Sequence, residues 1–259
     1  MKIWLQSGTP LSADSGSASG RLYEESLTRH LDSVARPGTE LQTFGTDGSA
    51  PGADRFHAAF HVVTRLVVKS AMRAEAEGFD AVAVINTFDH GYYELRELVD
   101  IPVVFISEAS MLLACQLAPT FSFVTHNAAM QLLVGELAKR YGVAGRMVPG
   151  TEHGLTYEDF PQLYEKPDIY VDRFAAAARE TIARGATCLM VAGNPLNMFL
   201  IDQGVKEVDG VPILDCCTAA IKTAEMMVDL HKLGVRRSTK GLFEAPAGAV
   251  RDKIRTLFE

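Results

Sequence analysis

The chain has 259 residues, 47% of them hydrophobic, and a formal net charge of −7. That length supports a large buried core in one or two α/β domains. The acidic balance, without a basic tract, zinc-finger spacing or basic recognition helix, argues against nucleic-acid and acidic-membrane partners, though a cleft can still be locally positive.

The elements follow in order. Lys2 to Leu5 reads as a strand, and Gln6 to Gly20 as a glycine- and serine-rich loop that closes over a ligand or stays on the surface. A helix through Leu22, Leu27 and Leu31 stops at Pro37-Gly38, and Glu40 to Thr43 is the next strand. Arg55 to Glu77 has helical spacing and ends at Gly78, feeding a strand at Asp80 to Ile85. Strands at Pro102 to Ile106 and Phe121 to Thr125 precede helices at Glu108 to Leu117 and Ala128 to Tyr141, with a further strand near Arg146 to Val148. Then come a helix at Asp172 to Arg184, strands at Cys188 to Val191 and Val211 to Leu214, and a helix at Thr218 to Leu233. Val250 to Phe258 forms a last possible helix, which docks to its own domain or to a twin subunit.

This order duplicates itself. Ala81 to Phe88 is echoed by Thr187 to Pro195, Ile101 to Ala109 by Val211 to Ala219, and Lys2 to Gln6 by Phe121 to Thr125. The expected fold is therefore α/β: two similar three-layer α/β/α lobes with mostly parallel sheets and an intervening cleft. The first lobe takes residues 1–118 plus 220–259 and the second 119–219. Residues 149–167, mixed polar and aromatic, form a lid or an inter-lobe linker. Chemistry in such folds lies beyond the carboxyl ends of the strands.

Over nearly the whole chain, and most strongly at residues 78–128 and 184–228, the sequence resembles the aspartate/glutamate/hydantoin racemase superfamily, nearest its hydantoin racemase branch. The resemblance implies two pseudo-symmetric α/β domains, no metal or cofactor, and one catalytic cysteine from each half. Thr87, before Phe88 and Gly91, stands at the position of the first cysteine, and Gly193 at that of the second. Glu108-Ala109, Thr125 and Val211 to Asp215 match other family landmarks. Two-base racemisation needs a proton acceptor on one face and a donor on the other. Threonine is a very poor base and glycine has no side chain, so ordinary two-cysteine chemistry is not expected.

The remaining candidates are polar groups at strand ends. Asn86 and Thr87 bind a carbonyl or cap a turn, and Asn194-Pro195 contributes backbone N–H groups or punctuates a strand. His90 and His126 are proton-transfer candidates near neutral pH. Glu108 positions a base or sits at a helix start, and Cys217 is a displaced nucleophile or core packing. The other three cysteines, Cys115, Cys188 and Cys216, read as buried thiols of a reducing compartment. His153 and Tyr157 reach substrate from the lid segment, and Gln6, Ser7, Phe88, Thr125, Gly193, Asn194 and Pro195 complete the expected substrate shell.

The expected protein is a cytoplasmic, homo-oligomeric, cofactor-independent hydrolase of an amide-like bond in a small cyclic amide or carboxylate, with His90 or His126 activating water. The alternatives are a non-cysteine isomerase or racemase, a decarboxylase of the same superfamily, and an inactive binding protein. Partners are a small carbonyl or carboxylate compound, with no metal, nucleic acid or membrane.

Overall fold

The computed structural model describes residues 1–11, 18–155 and 159–258. The chain divides into two compact units, one comprising Met1–Leu11, Val34–Phe105 and Ala220–Glu259, the other Ser12–Ser33 and Ile106–Ala219. Both are α/β/α lobes with largely parallel sheets.

In the first unit, strands β1 (Lys2–Gln6), β2 (Glu40–Phe44), β3 (Ala81–Val84) and β4 (Val103–Phe105) lie in the order β2-β1-β3-β4, all parallel. The inner strands read as unbroken apolar runs because helices cover both faces: every residue of β3 and β4 is buried. Helix α2 (His57–Ala71) turns Val63, Val67, Val68 and Ala71 inward at helical spacing. It stops six residues before the expected Glu77, because residues 72–78 tighten into successive i+3 turns that end at Gly78, with φ +81. Trp4 is fully buried, stacked on Phe44 at 3.3 Å and edge-on to Phe79 at 5.1 Å. Its truncation to alanine costs about 3–5 kcal/mol.

In the second unit, β5 (Ser122–Val124), β6 (Leu189–Val191), β7 (Glu207–Val208) and β8 (Val211–Leu214) take the order β5-β6-β8-β7. Beyond β5, Met147 and Glu152 bridge in parallel to Phe121 and Thr125, so this segment extends the sheet at the place β2 takes in the first. The duplicated order seen in the sequence is thus a duplicated topology, β1, β3 and β4 matching β5, β6 and β8. Strand β7 and a helix over Asn194–Asp202 are among the elements without a counterpart in the sequence expectations. The antiparallel β7 returns through Asp209-Gly210, both at positive φ, which is the type I′ hairpin signal. Helix α8 (Asn194–Asp202) begins at Asn194-Pro195, since proline at the first helical turn is well tolerated.

The other helices are α1 (Ala18–Val34), α3 (Glu94–Leu98), α4 (Ile106–Leu117), α5 (Ala128–Arg140), α6 (Phe160–Glu165), α7 (Pro167–Ala183), α9 (Cys216–Lys232) and α10 (Gly248–Thr256). Helix α7 starts at Pro167, five residues ahead of the expected Asp172, again with proline in the first turn. Helix α10 holds to its own unit through Arg251, which donates to the Leu98 carbonyl at 2.7 Å, and Arg255, which donates to the Met72 carbonyl at 3.2 Å. No helix among the described residues is long and apolar enough to cross a membrane.

Candidate active site

Each sheet reverses its direction of growth at one point. β2 lies on one side of β1 and β3 on the other, and β5 with β6 repeats the arrangement. Ligands of open α/β sheets bind beyond the strand carboxyl ends at such a switch point. In the first unit Gln6 pairs with Val84, so Gly8 and Asn86 face each other two residues further on. In the second, Val124 pairs with Val191, which sets His126 opposite Gly193 in the same register.

Both pairs consist of a glycine and a polar side chain filling the glycine's empty space. A Cβ on Gly8 would collide with the Asn86 amide, and a Cβ on Gly193 would collide with Nε2 of His126. Gly193 also has φ +104, which L side chains rarely adopt. An imidazole from the end of the neighbouring strand therefore stands in the space of the side chain that Gly193 lacks. His126 is half-buried and directly precedes Asn127, whose side chain accepts the Met130 N–H at 3.0 Å and caps α5.

His153 lies beside it, with ring centroids 5.0 Å apart. The Leu155 N–H donates to His153 Nδ1 at 2.9 Å, so the neutral ring carries its proton on Nε2. Burial, then the neighbouring His126 and Arg173, depress its pKa to about 3. Its backbone is fixed by pairing of its N–H with the Thr125 carbonyl at 2.9 Å. Thr125 is buried and its hydroxyl donates to the Asn127 carbonyl at 3.1 Å, holding the turn that presents His126. Asn194 is buried and donates from Nδ2 to the Tyr23 hydroxyl at 2.9 Å; Tyr23 had no place in the sequence expectation.

In the first unit, residues 86–91 wrap the end of β3. Asn86 Oδ1 accepts the Phe88 N–H at 3.1 Å and its carbonyl accepts the Asp89 N–H at 3.0 Å. Thr87 and Phe88 are buried in this turn. His90 is 1% exposed, its ring 4.1 Å from that of Phe60 and 6.1 Å from that of Phe88.

Several expectations require correction. Desolvation holds His90 at a pKa of about 3, so it does not exchange protons near neutral pH. Cys217 is fully buried and burial pushes its thiol well above the ordinary value, which denies it a thiolate nucleophile's role. Cys216 is raised to about 12 for the same reason. The Gln6 amide is committed to the sheet: Oε1 accepts from Trp4 Nε1 at 2.8 Å, and Nε2 donates to the Ser7 carbonyl at 2.8 Å. Ser7 is buried against Thr9, with hydroxyl oxygens 3.2 Å apart. Glu108 occupies the first turn of α4, and Pro195 that of α8. Tyr157 lies outside the described residues.

Behind the end of β8, Asp215 gathers the start of α9. It accepts from Asn197 at 2.9 Å and from the Cys217 N–H at 3.0 Å, and it pairs with His30 at 2.8 Å. Burial acts to raise its pKa, but the His30 contact, with Thr218 and Asn197, outweighs it and lowers the value to about 2. Among the described residues no group of three or more His, Cys, Asp or Glu is arranged to hold a metal ion.

The chain is 29% identical over 166 residues to a hydantoin racemase of Pseudomonas sp. (strain NS671), covering 64% of this chain and 65% of that protein, just under two thirds of its length. It is 26% identical over 222 residues to a hydantoin racemase of Paenarthrobacter aurescens, covering 83% and 91%. Among solved structures, allantoin racemase from Pseudomonas fluorescens superimposes with a TM-score of 0.78 at 24% identity, over 96% of this chain and 98% of that one. These relatives are named as racemases. That overturns the expectation of amide hydrolysis and supports the alternative, isomerase chemistry within the same superfamily. The family model for Asp/Glu/hydantoin racemase matches residues 16–224, and the chain belongs to that family.

Proposed function

We propose that this protein is a cofactor-independent isomerase that inverts or equilibrates the acidic carbon of a small five-membered cyclic amide, a 5-substituted hydantoin or similar ureide, with His126 as its base. The carrying observation is that the His126 imidazole occupies the space of the side chain Gly193 lacks, where the family's second cysteine would stand. Imidazole is competent for proton transfer near neutral pH in a way that threonine and glycine are not. In the proposed step His126 takes the C5 proton, and the electron pair left on C5 delocalises into the adjacent carbonyl as an enolate. Water then donates a proton to the opposite face of C5, the hydroxide it leaves takes the proton from the imidazolium, and the ring stays intact; return of the original proton to the same face restores the starting enantiomer. Within the same unit Asn194 serves as a hydrogen-bonding group that does not need to ionise.

The four free thiols support the expectation of a reducing, cytoplasmic setting. A homo-oligomeric assembly belongs to the same reading.

The test is proton NMR of single-enantiomer 5-benzylhydantoin and of allantoin with the protein in heavy water, together with optical rotation. Loss of the C5 proton signal with an intact ring is the expected result. A ring-opened product, or tight binding with no exchange, would overturn the proposal in favour of a different reaction or a binding protein respectively.

A further inference from the structure

His90 has a fixed tautomer. The Thr64 hydroxyl donates to the Phe60 carbonyl at 3.0 Å and lies 2.9 Å from His90 Nδ1. Both contacts hold together only if Nδ1 carries the ring proton and donates to Thr64, which leaves Nε2 as a bare lone pair. That atom is buried and has no hydrogen-bond partner among the described residues. Desolvation keeps the ring neutral, so the lone pair persists at every working pH. Nearly all buried polar atoms are satisfied, and one that is not points to a missing donor. The ring packs against Phe60, with Phe88 beside both, in the turn that also carries Asn86 and Thr87 at the switch point of the first sheet. A general proton-transfer group would not be held this way, whereas a hydrogen-bond acceptor in an aromatic wall would.

We infer that His90 is a ligand-selecting residue of the first unit: its Nε2 accepts a ring N–H of a bound cyclic amide or ureide, so that compounds with a free N–H bind and their N-alkylated counterparts are rejected. The inference uses residues of the first unit alone and goes beyond the proton transfer assigned to His126. Discrimination of this kind is large because an alkylated ligand leaves the buried acceptor unpaired and brings a methyl group into its place. Thr64 is the positioning residue, since its hydroxyl holds the tautomer.

The inference is tested with 5,5-dimethylhydantoin, which has no C5 proton and cannot turn over, and its N1-methyl and N3-methyl derivatives. Binding is followed by calorimetry and by the ¹⁵N resonance of His90 in histidine-labelled protein. The expected result is that the parent compound moves the Nε2 resonance away from its lone-pair position, and that one N-methyl derivative binds at least about tenfold more weakly. That gap collapses in His90→Phe, which keeps the aromatic packing, and shrinks in Thr64→Val, which frees the tautomer. An unmoved resonance at saturation, equal binding of all three compounds, or no binding of the parent would overturn the inference. Carbon exchange on 5-benzylhydantoin is measured separately, so it can stand or fail without deciding this result.

Discussion

The two switch points use one backbone device to opposite chemical ends. In each unit a glycine, two residues beyond the last paired strand residue, makes room for a polar side chain from the adjacent strand. In the first unit the glycine follows β1 and the room is taken by the Asn86 amide; in the second it follows β6 and the room is taken by the His126 imidazole. An amide donates and accepts hydrogen bonds without ionising, whereas an imidazole also moves protons. A duplicated fold thus sets an amide at one switch point and an imidazole at the other by exchanging which strand end carries the glycine.

The strongest way to break this contrast is to remove the imidazole. His126→Gln should lower C5 proton exchange by about 10²–10⁴-fold with the thermal melt unchanged, whereas Asn86→Ala or Thr87→Val should lower it by about tenfold or less. A reversed ranking would move the base to the first unit.

Acidification sharpens the contrast next, through stability. His90 and His153 have folded pKa values near 3, below the unfolded value of 6.5. The unfolded chain therefore binds more protons between these limits, and stability falls as pH drops through 6.5 toward 3. Denaturant titrations at pH 7 and pH 5 should differ by about 2 kcal/mol for each histidine. Asp215, depressed to about 2, adds stability that is lost only as pH falls from about 3.8, outside this window. A pH-independent midpoint over this range would contradict the burial of both rings.

Gly193→Ala should then reduce stability by about 1–3 kcal/mol, from its positive φ, and displace His126 enough to lower exchange. Gly8→Ala, whose backbone is not in that region, should displace Asn86 with a smaller loss of stability. Parallel thermal melts of the two variants check the order. The smallest effect is that of Asn127→Ala, which removes the α5 cap beside His126 at about 1 kcal/mol, measured by denaturation.

The alternation of strands and helices was legible because parallel core strands read as apolar runs closed by glycine, as at Ala81 to Val84. Helix α8 and strand β7 are not foreseen as elements: in the sequence Asn194-Pro195 stays open between a helix-start N–H site and strand punctuation, and the Asp209-Gly210 hairpin signal is not singled out. The site was legible as a set of strand ends but not in its roles. Gly193 alone reads as lost chemistry, and only the strand pairing brings His126 into its space. His90 reads as a titrating turn residue until its enclosure by Phe60 and its bond to Thr64 are known. Gln6 carried no sign that Trp4 would occupy its amide oxygen. Gly8 and Thr64 were passed over because neither residue type signals chemistry without its neighbour.

The burial of the thiols has a consequence for durability. Cys188, Cys216 and Cys217 are buried with raised pKa values, and Cys115 is the one thiol with appreciable exposure. Peroxide and alkylating reagents act on exposed thiolates, and burial withholds three of the four sulfurs from them. Iodoacetamide should therefore label Cys115 ahead of Cys188, Cys216 and Cys217 in the folded protein, with peptide mapping as the check.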